Sequence, residues 1–261
     1  RSHEYADAAL MQIWIQASTL KQHDTALAAC DQLLNNYPKS ALTVMALTNK
    51  ATSLRALMRD AEAAVVFQQL AAVPGNAAAE SALMSVIDSY LLAAEKDKAL
   101  AACDAYLAND LTVGARRYQV LQQKLSICLM NNDQAGTDAT LAQIAMLPSD
   151  KLVLGSAYTT LAQGFDQQKN LAKAAEYYRL ASEIPAYGSN QANLIIAATR
   201  LGTADKTAEA IALYREYLKR FPKGYGAVQS LGAIATLARD NLKDRAQEAA
   251  VLEELLKAYP N

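Results

Sequence analysis

Cysteine, histidine, tryptophan and proline are all scarce in this chain of 261 residues, at three, two, one and six copies. Three cysteines cannot build a disulfide scaffold, and an odd number leaves one unpaired within the chain. The only histidines are His3 and His23, and no HExxH, CxxC or zinc-spaced Cys/His cluster exists. No metal site is therefore expected, and no Ser/His/Asp or Cys/His catalytic set can be assembled. Charge bias is also missing: 25 basic and 26 acidic residues give a formal net charge of −1. Such a chain has no broad field to gather nucleic acid or an anionic membrane. The longest apolar runs, such as 192–199, fall far short of the roughly 20 residues of a membrane-spanning helix. The opening Arg1-Ser2-His3 shows no secretory pattern and reads as a cut end or a tag scar.

What is present is apolar material, at 52 % of residues, rich in alanine and poor in helix breakers, which predicts helix almost throughout. The few prolines are not scattered. Pro38, Pro74, Pro148, Pro185, Pro222 and Pro260, with Leu111 filling one vacancy, fall at successive intervals of 36, 37, 37, 37, 37 and 38 residues. Each closes a stretch with apolar residues at helical spacing, as Ala210, Leu213, Tyr214, Tyr217, Leu218 and Phe221 do before Pro222. Proline cannot extend the helix before it and so marks its end. Polar breaks such as "KQHD", "MRD" and "NNDQ" precede these stretches, with Asp24, Asp60, Asp97 and Asn170 placed as N-caps or first-turn residues. Ahead of each break runs another helix, expected to be about 17–20 residues long, as at 41–58. The predicted unit is helix, tight turn, helix, proline, repeated seven times with a period of about 37 residues.

The fifth unit, "AYTTLAQGFDQQKNLAKAAEYYRLASEIP", resembles a tetratricopeptide repeat. Leu161, Ala162 and Phe165 match the large, small and aromatic positions of that family's first helix; Ala174, Tyr178, Ala181 and Pro185 match the second helix and its proline. Ala210, Tyr214, Tyr217 and Pro222 repeat the second-helix pattern, while Trp14 stands at the small-residue position of its own unit. The resemblance implies an all-α, right-handed α-α superhelix of seven helix pairs, a single solenoid over 1–261 that is a segment of a longer chain. It also settles how to read the hexapeptide "ALAACD", which occurs at Ala26–Asp31 and again at Ala99–Asp104. Cys30 and Cys103 take the interior position held elsewhere by Tyr178 and Tyr214, where a small soft side chain fills space. Two repeats apart, their sulfurs should be roughly 20 Å from each other, whereas a disulfide needs Cα atoms within about 7 Å. "GYGAVQSLG" (224–232) lacks the strand and third glycine of a dinucleotide fingerprint, and "NNDQAG" (131–136) lacks the acids of a calcium loop. Both read as turns or loops of the repeat, and no cofactor is expected.

In the resembled family the first helices line a concave surface that binds protein segments. The implied partner-binding positions here are Thr48, Thr52, Arg55, Asp88, Gln122, Ser126, Thr159, Gln163, Asp166, Thr199 and Arg239, with Met11, Ile15, Ser18, Met84, Leu91, Ile195 and Thr236 beside them. Relatives that grip a terminal carboxylate use clustered lysine, arginine and asparagine; these small polar residues do not match that pattern. The reading is a non-catalytic scaffold for a protein or peptide partner, with an accessory spacing or self-association module as the alternative. Leu252, Leu255 and Leu256 keep core spacing in the last helix, so that face is expected to be covered by further chain or by another copy. Segments such as "YLKRFPKGYGAVQSL" resemble repeats of bacterial envelope lipoproteins in outer-membrane assembly, which implies a periplasmic setting, whereas unpaired cysteines point toward a reducing one.

Overall fold

The structure is a computed structural model, described over residues 5–108, 115–147, 151–184 and 190–259. Leu111, Pro148, Pro185, Pro260 and the opening Arg1-Ser2-His3 lie outside the described residues. Among the described residues there are fourteen α-helices and no strand. They fall into two compact units, Arg1–Ile127 and Cys128–Asn261. The first holds α1 (Ala6–Thr19), α2 (His23–Asn36), α3 (Thr43–Ala56), α4 (Asp60–Ala71), α5 (Ala79–Leu92), α6 (Lys96–Leu107) and most of α7 (Ala115–Met130). The second holds the end of α7, then α8 (Gln134–Ala145), α9 (Leu152–Gln167), α10 (Leu171–Glu183), α11 (Asn190–Thr203), α12 (Thr207–Arg220), α13 (Ala227–Asp240) and α14 (Arg245–Ala258). Within each unit, helices adjacent in sequence pack on one another, as α1 on α2, α2 on α3, α10 on α11 and α13 on α14 do.

The odd-numbered first helices span only 14 to 16 residues, shorter than the sequence suggested. A backbone device stops them. Among the described residues seven non-glycines have φ between 55° and 61°, namely Lys21, Met58, Ala94, Asn132, Lys169, Asp205 and Lys243, one after each first helix. At the second of these, Met58 N–H donates to the Arg55 carbonyl at 2.9 Å and Arg59 N–H donates to the Leu54 carbonyl at 2.9 Å. This is the Schellman pair of bonds, which satisfies the last carbonyls of a helix through one left-handed residue. The same two bonds recur at Lys21, Ala94, Asn132, Lys169 and Asp205. The next residue is already the N-cap of the second helix, so the turn has no slack. The turn between α13 and α14 is longer: there Asp244 N–H reaches the Ala238 carbonyl at 2.9 Å.

Second helices begin as the polar breaks predict, with one refinement. Asn170 is an N-cap, its Oδ1 accepting from Lys173 N–H at 3.3 Å. Asp24, Asp60 and Asp97 instead sit in the first turn, where a carboxylate faces the positive end of the helix dipole. Asp133 and Asp244 are caps that the sequence reading did not single out, accepting from Gly136 N–H and Gln247 N–H, each at 2.9 Å. At the other end, Pro38, Pro74 and Pro222 each follow a helix that has already stopped.

Two columns of side chains form the interior. Ala26, Ala63, Ala99, Ala174 and Ala210 recur at one buried position of the second helices, which Thr137 takes in α8. One turn further on, Cys30, Phe67, Cys103, Tyr178 and Tyr214 are buried in a second column. Burial pushes the Cys30 thiol up to about 12, so it is held as the neutral, unreactive form. Leu161, Ala162 and Phe165, the positions that carried the family resemblance, are likewise buried. Of "GYGAVQSLG", only residues 224–226 form the loop into α13, and 227–232 already belong to the helix. A Cβ on Gly226 would stand 2.1 Å from Ile195 Cδ1, and Gly226 N–H donates to Tyr217 Oη at 2.9 Å.

Candidate functional site

The expected partner-binding residues divide between the two units. In the first, Thr48, Thr52 and Arg55 are exposed along α3, Asp88 is half-buried on α5, and Gln122 and Ser126 are half-buried on α7. In the second, Gln163 and Thr199 are exposed, while Thr159, Asp166 and Arg239 are half-buried. Met11 and Ile195, read from the sequence as lining residues, are buried. Met11 Sδ accepts from Asn49 Nδ2 at 3.2 Å, and Ile195 closes over Gly226.

The hydroxyls share one habit. Thr48 donates to the Val44 carbonyl at 2.9 Å and Thr52 to the Thr48 carbonyl at 2.9 Å. Ser126 donates to the Gln122 carbonyl, Thr159 to the Gly155 carbonyl and Thr199 to the Ile195 carbonyl, at 2.9–3.0 Å. Each proton lies on the carbonyl four residues back, so these side chains present acceptor lone pairs, the threonines with a methyl group beside them, and Thr199 Oγ1 is also 2.8 Å from Tyr214 Oη.

Arg239, Arg55 and Asp166 are paired with opposite charges, and Asp88 with an uncharged amide. Arg239 Nε meets Asp240 Oδ1 at 2.7 Å, and its Nη1 lies 3.6 Å from Glu248. Arg55 Nε lies 3.9 Å from Asp60. Asp88 accepts from Gln123 Nε2 at 3.1 Å, tying α5 to α7. Asp166 is the most engaged: Arg200 Nε donates to it from α11 at 2.7 Å, and Tyr178 Oη donates to it from α10 at 3.3 Å. The Asp166 carboxylate holds the Arg200 guanidinium above its ordinary value, and burial, then the Asp166 charge, raises the Tyr178 phenol. Arg200 and Tyr178 belong to this cluster, although the sequence reading placed neither on the surface. The only hint was an arginine in the apolar run "NLIIAATRLG", about one repeat after an aspartate.

A second polar pattern explains the copied hexapeptide further. Its terminal aspartates, Asp31 and Asp104, reach the next first helix, pairing with Lys50 Nζ and Lys124 Nζ at 2.6 Å in both cases. "ALAACD" therefore carries a core cysteine and an inter-helix ion pair together.

Clefts open between successive second helices. In the second unit one of about 470 Å³ lies between α10 and α12, with Ala175, Leu201 and Leu213 among its apolar residues and Lys173, Glu176, Arg179, Lys206 and Glu209 among its charged ones. In the first unit a smaller one of about 250 Å³ occupies the same register between α2 and α4. Among the described residues no group of His, Cys, Asp and Glu could hold a metal ion, and no helix is long and apolar enough to cross a membrane.

The tetratricopeptide repeat family profile matches residues 7–40 and 191–224, which are α1–α2 with Pro38 and α11–α12 with Pro222. The chain has a TPR-like helical-repeat fold, and two of its helix pairs match the family profile. The fifth unit, whose motif carried the resemblance, lies outside both matched segments. Among solved structures, a chain of the Naa15/Naa10 complex bound to HypK-THB superposes with a TM-score of 0.51 at 17 % identity, over 97 % of this chain. This protein spans 37 % of that chain's length. The C-terminal part of a TPR repeat-containing protein from Cytophaga hutchinsonii also gives 0.51, at 12 % identity, over 96 % of this chain and 95 % of that one. Identities this low establish the shared TPR-like fold and nothing finer. No curated protein matches the chain in sequence.

Proposed function

We propose that this TPR-like protein is a non-catalytic scaffold that binds an extended segment or a helix of a protein partner on the faces of its first helices. The observation that carries the reading is made in each unit by itself: back-bonded hydroxyls beside paired charges give its first helices faces rich in acceptors and poor in field. Such a surface suits a partner that offers N–H donors and small apolar contacts. The Naa15/Naa10 complex bound to HypK-THB is a protein assembly that contains this fold, which supports the scaffold reading. The test uses affinity capture with the natural chain and with the triple variant Thr48→Arg, Thr52→Arg, Gln163→Arg. All three positions are exposed, so the melt should move little, surface changes typically costing within about 0.5 kcal/mol each. Partner binding should be lost, and in the natural chain affinity should change little between about 50 and 200 mM salt, unlike phosphate-backbone binding. A partner that holds the triple variant at full strength would refute the assignment of this face.

A further inference from the structure

The two clefts between second helices share one register, and their residues explain why they differ in size. In the first unit Asp31 on α2 and Lys50 on α3 line the cleft and pair at 2.6 Å, with Val65 on the α4 wall. In the second unit the same three positions hold Arg179, Ala197 and Ala212. Arg179 turns along its own helix to Glu183, and Ala197 is wholly buried. The pair between helices is therefore gone, and two methyl groups stand where a lysine and a valine stand in the first unit. The cleft is correspondingly larger, at about 470 Å³ against about 250 Å³, and Ala175, Leu201, Ala212 and Leu213 give it an apolar surface.

The charges lining the larger cleft are committed, with one exception. Lys206 pairs with Glu209 at 3.2 Å along α12, as Arg59 pairs with Glu62 in the first unit. Lys173 carries its ammonium to helices that do not wall the cleft: it donates to Gln134 Oε1 on α8 at 2.9 Å and lies 5.0 Å from the centroid of the Phe165 ring on α9. The exception is Glu176 on the α10 wall, whose carboxylate has no hydrogen bond or ion pair among the described residues. Its counterpart in the first unit is Ala28, and at its own level on α12 stands Ala212, which adds neither charge nor bulk. An apolar cleft with one uncompensated carboxylate on its wall complements a side chain that has an aliphatic stem and a cationic head. We propose that this cleft is a second docking site, for a lysine or arginine flanked by apolar residues in an exposed segment of a protein partner. The stem lies on Leu201 and Leu213, and the cation pairs with Glu176. The site is separate from the threonines of the first-helix faces.

The probe is the capped peptide acetyl-LARAL-amide, with acetyl-LAQAL-amide and acetyl-LAEAL-amide as controls. Each is titrated to millimolar concentration into the isotope-labelled full chain and followed by amide NMR shifts. Saturable shifts should centre on Ala175, Glu176, Leu201 and Leu213, with none of that size at Leu27 or Val66 in the first-unit cleft. The glutamine peptide should bind about 2- to 5-fold more weakly, the range of an exposed ion pair, and the glutamate peptide more weakly still. Glu176→Gln should weaken the arginine peptide by the same factor and leave the glutamine peptide unchanged, which separates charge from shape. Ala212→Tyr, at an exposed position, should fill the cleft and abolish binding of both. Thermal melts show whether that variant is folded, and Glu176→Gln decides the question if it is not. The proposal is overturned if the glutamate peptide binds as tightly as the arginine peptide, if Glu176→Gln changes nothing, if the shifts centre on other helices, or if no shift saturates. The triple arginine variant of the first-helix faces should bind the arginine peptide like the natural chain, and Glu176→Gln should still capture the first-helix partner, so either site can fail without the other.

Discussion

The two copies of "ALAACD" give an internal control for the value of an ion pair at different depths. In one copy Asp104 pairs with Lys124, whose side chain is only 11 % exposed; in the other Asp31 pairs with Lys50, at 25 %. Both bonds are 2.6 Å long, so geometry cancels and burial remains. Asp104→Ala leaves an ammonium in a site that water reaches poorly. Fully buried pairs lose about 3–5 kcal/mol when one partner goes, but Asp104 itself is more than half exposed and solvent will enter from its side. The cost should therefore be about 1–2 kcal/mol, in the range of a lost hydrogen bond to a charged group. Asp31→Ala, releasing a better hydrated lysine, should cost about 0.5 kcal/mol. At this chain length that means a melting temperature lower by roughly 2–8 °C for the first and 1–2 °C for the second. The sharper consequence is an asymmetry within the deeper pair. Lys124→Met removes the buried member, leaves an aspartate that water can solvate, and fills the site with apolar volume, so it should be nearly neutral. The double variant Asp104→Ala/Lys124→Met should then recover most of the loss caused by Asp104→Ala alone. Urea denaturation of the four proteins measures the cycle. Equal costs for Asp104→Ala and Asp31→Ala, or a Lys124→Met variant as unstable as Asp104→Ala, would refute the burial argument.

Met58, at φ 56° and almost wholly exposed, should become more stabilising as glycine: relief of about 1 kcal/mol of left-handed strain outweighs the extra unfolded-state entropy by about 0.5 kcal/mol, read by thermal melt. Gly75, at φ 70° with open space around its missing Cβ, should show the reverse, Gly75→Ala costing about 1 kcal/mol. Ala162→Leu and Ala198→Leu, both fully buried, should each overpack a helix contact and cost roughly 1–3 kcal/mol; unchanged melts would show the register to be wrong. Burial raises the Cys30 thiol from 9.0 to about 12, and burial with the Glu80 hydrogen bond raises the Tyr106 phenol from 10.0 to about 12. Both groups are raised in the folded state, so their contribution is intact below pH 9 and is lost as pH climbs towards about 12. A urea midpoint that stays constant between pH 9 and 12 would contradict this.

The proline lattice made the number of repeats, their boundaries and the buried columns legible, because steric exclusion at proline and burial at fixed helical spacing both act through residue type at a position. The turn that closes each first helix was not legible for the opposite reason. Glycine is the usual mark of a left-handed residue, and here that conformation is carried by Lys, Met, Ala, Asn and Asp. Nothing in those residue types announces φ near 57°; the two Schellman hydrogen bonds and the packing of the flanking helices impose it. Missing that turn also made the first helices look longer than they are, since residues such as Leu57 and Met58 continue the apolar run without continuing the helix.

The surface was less legible than the core because hydrogen bonding there is decided one turn away or one repeat away. Thr48, Thr52 and Thr199 were found as exposed polar positions, but the sequence did not show that their protons are committed to carbonyls four residues back, which changes the chemistry they offer. Asp166 looked like an isolated charge until Arg200 met it from the next first helix. The same holds for Lys50 and Lys124, which lie 19 and 20 residues after their aspartates and outside the copied hexapeptide. A repeat constrains each residue twice, once by its own helix and once by the neighbouring unit. Core positions satisfy both demands by being small or apolar, so one chain's periodicity reveals them. Polar positions satisfy the second demand with a partner about half a repeat or a whole repeat away, and the lattice supplies the spacing at which to look for it.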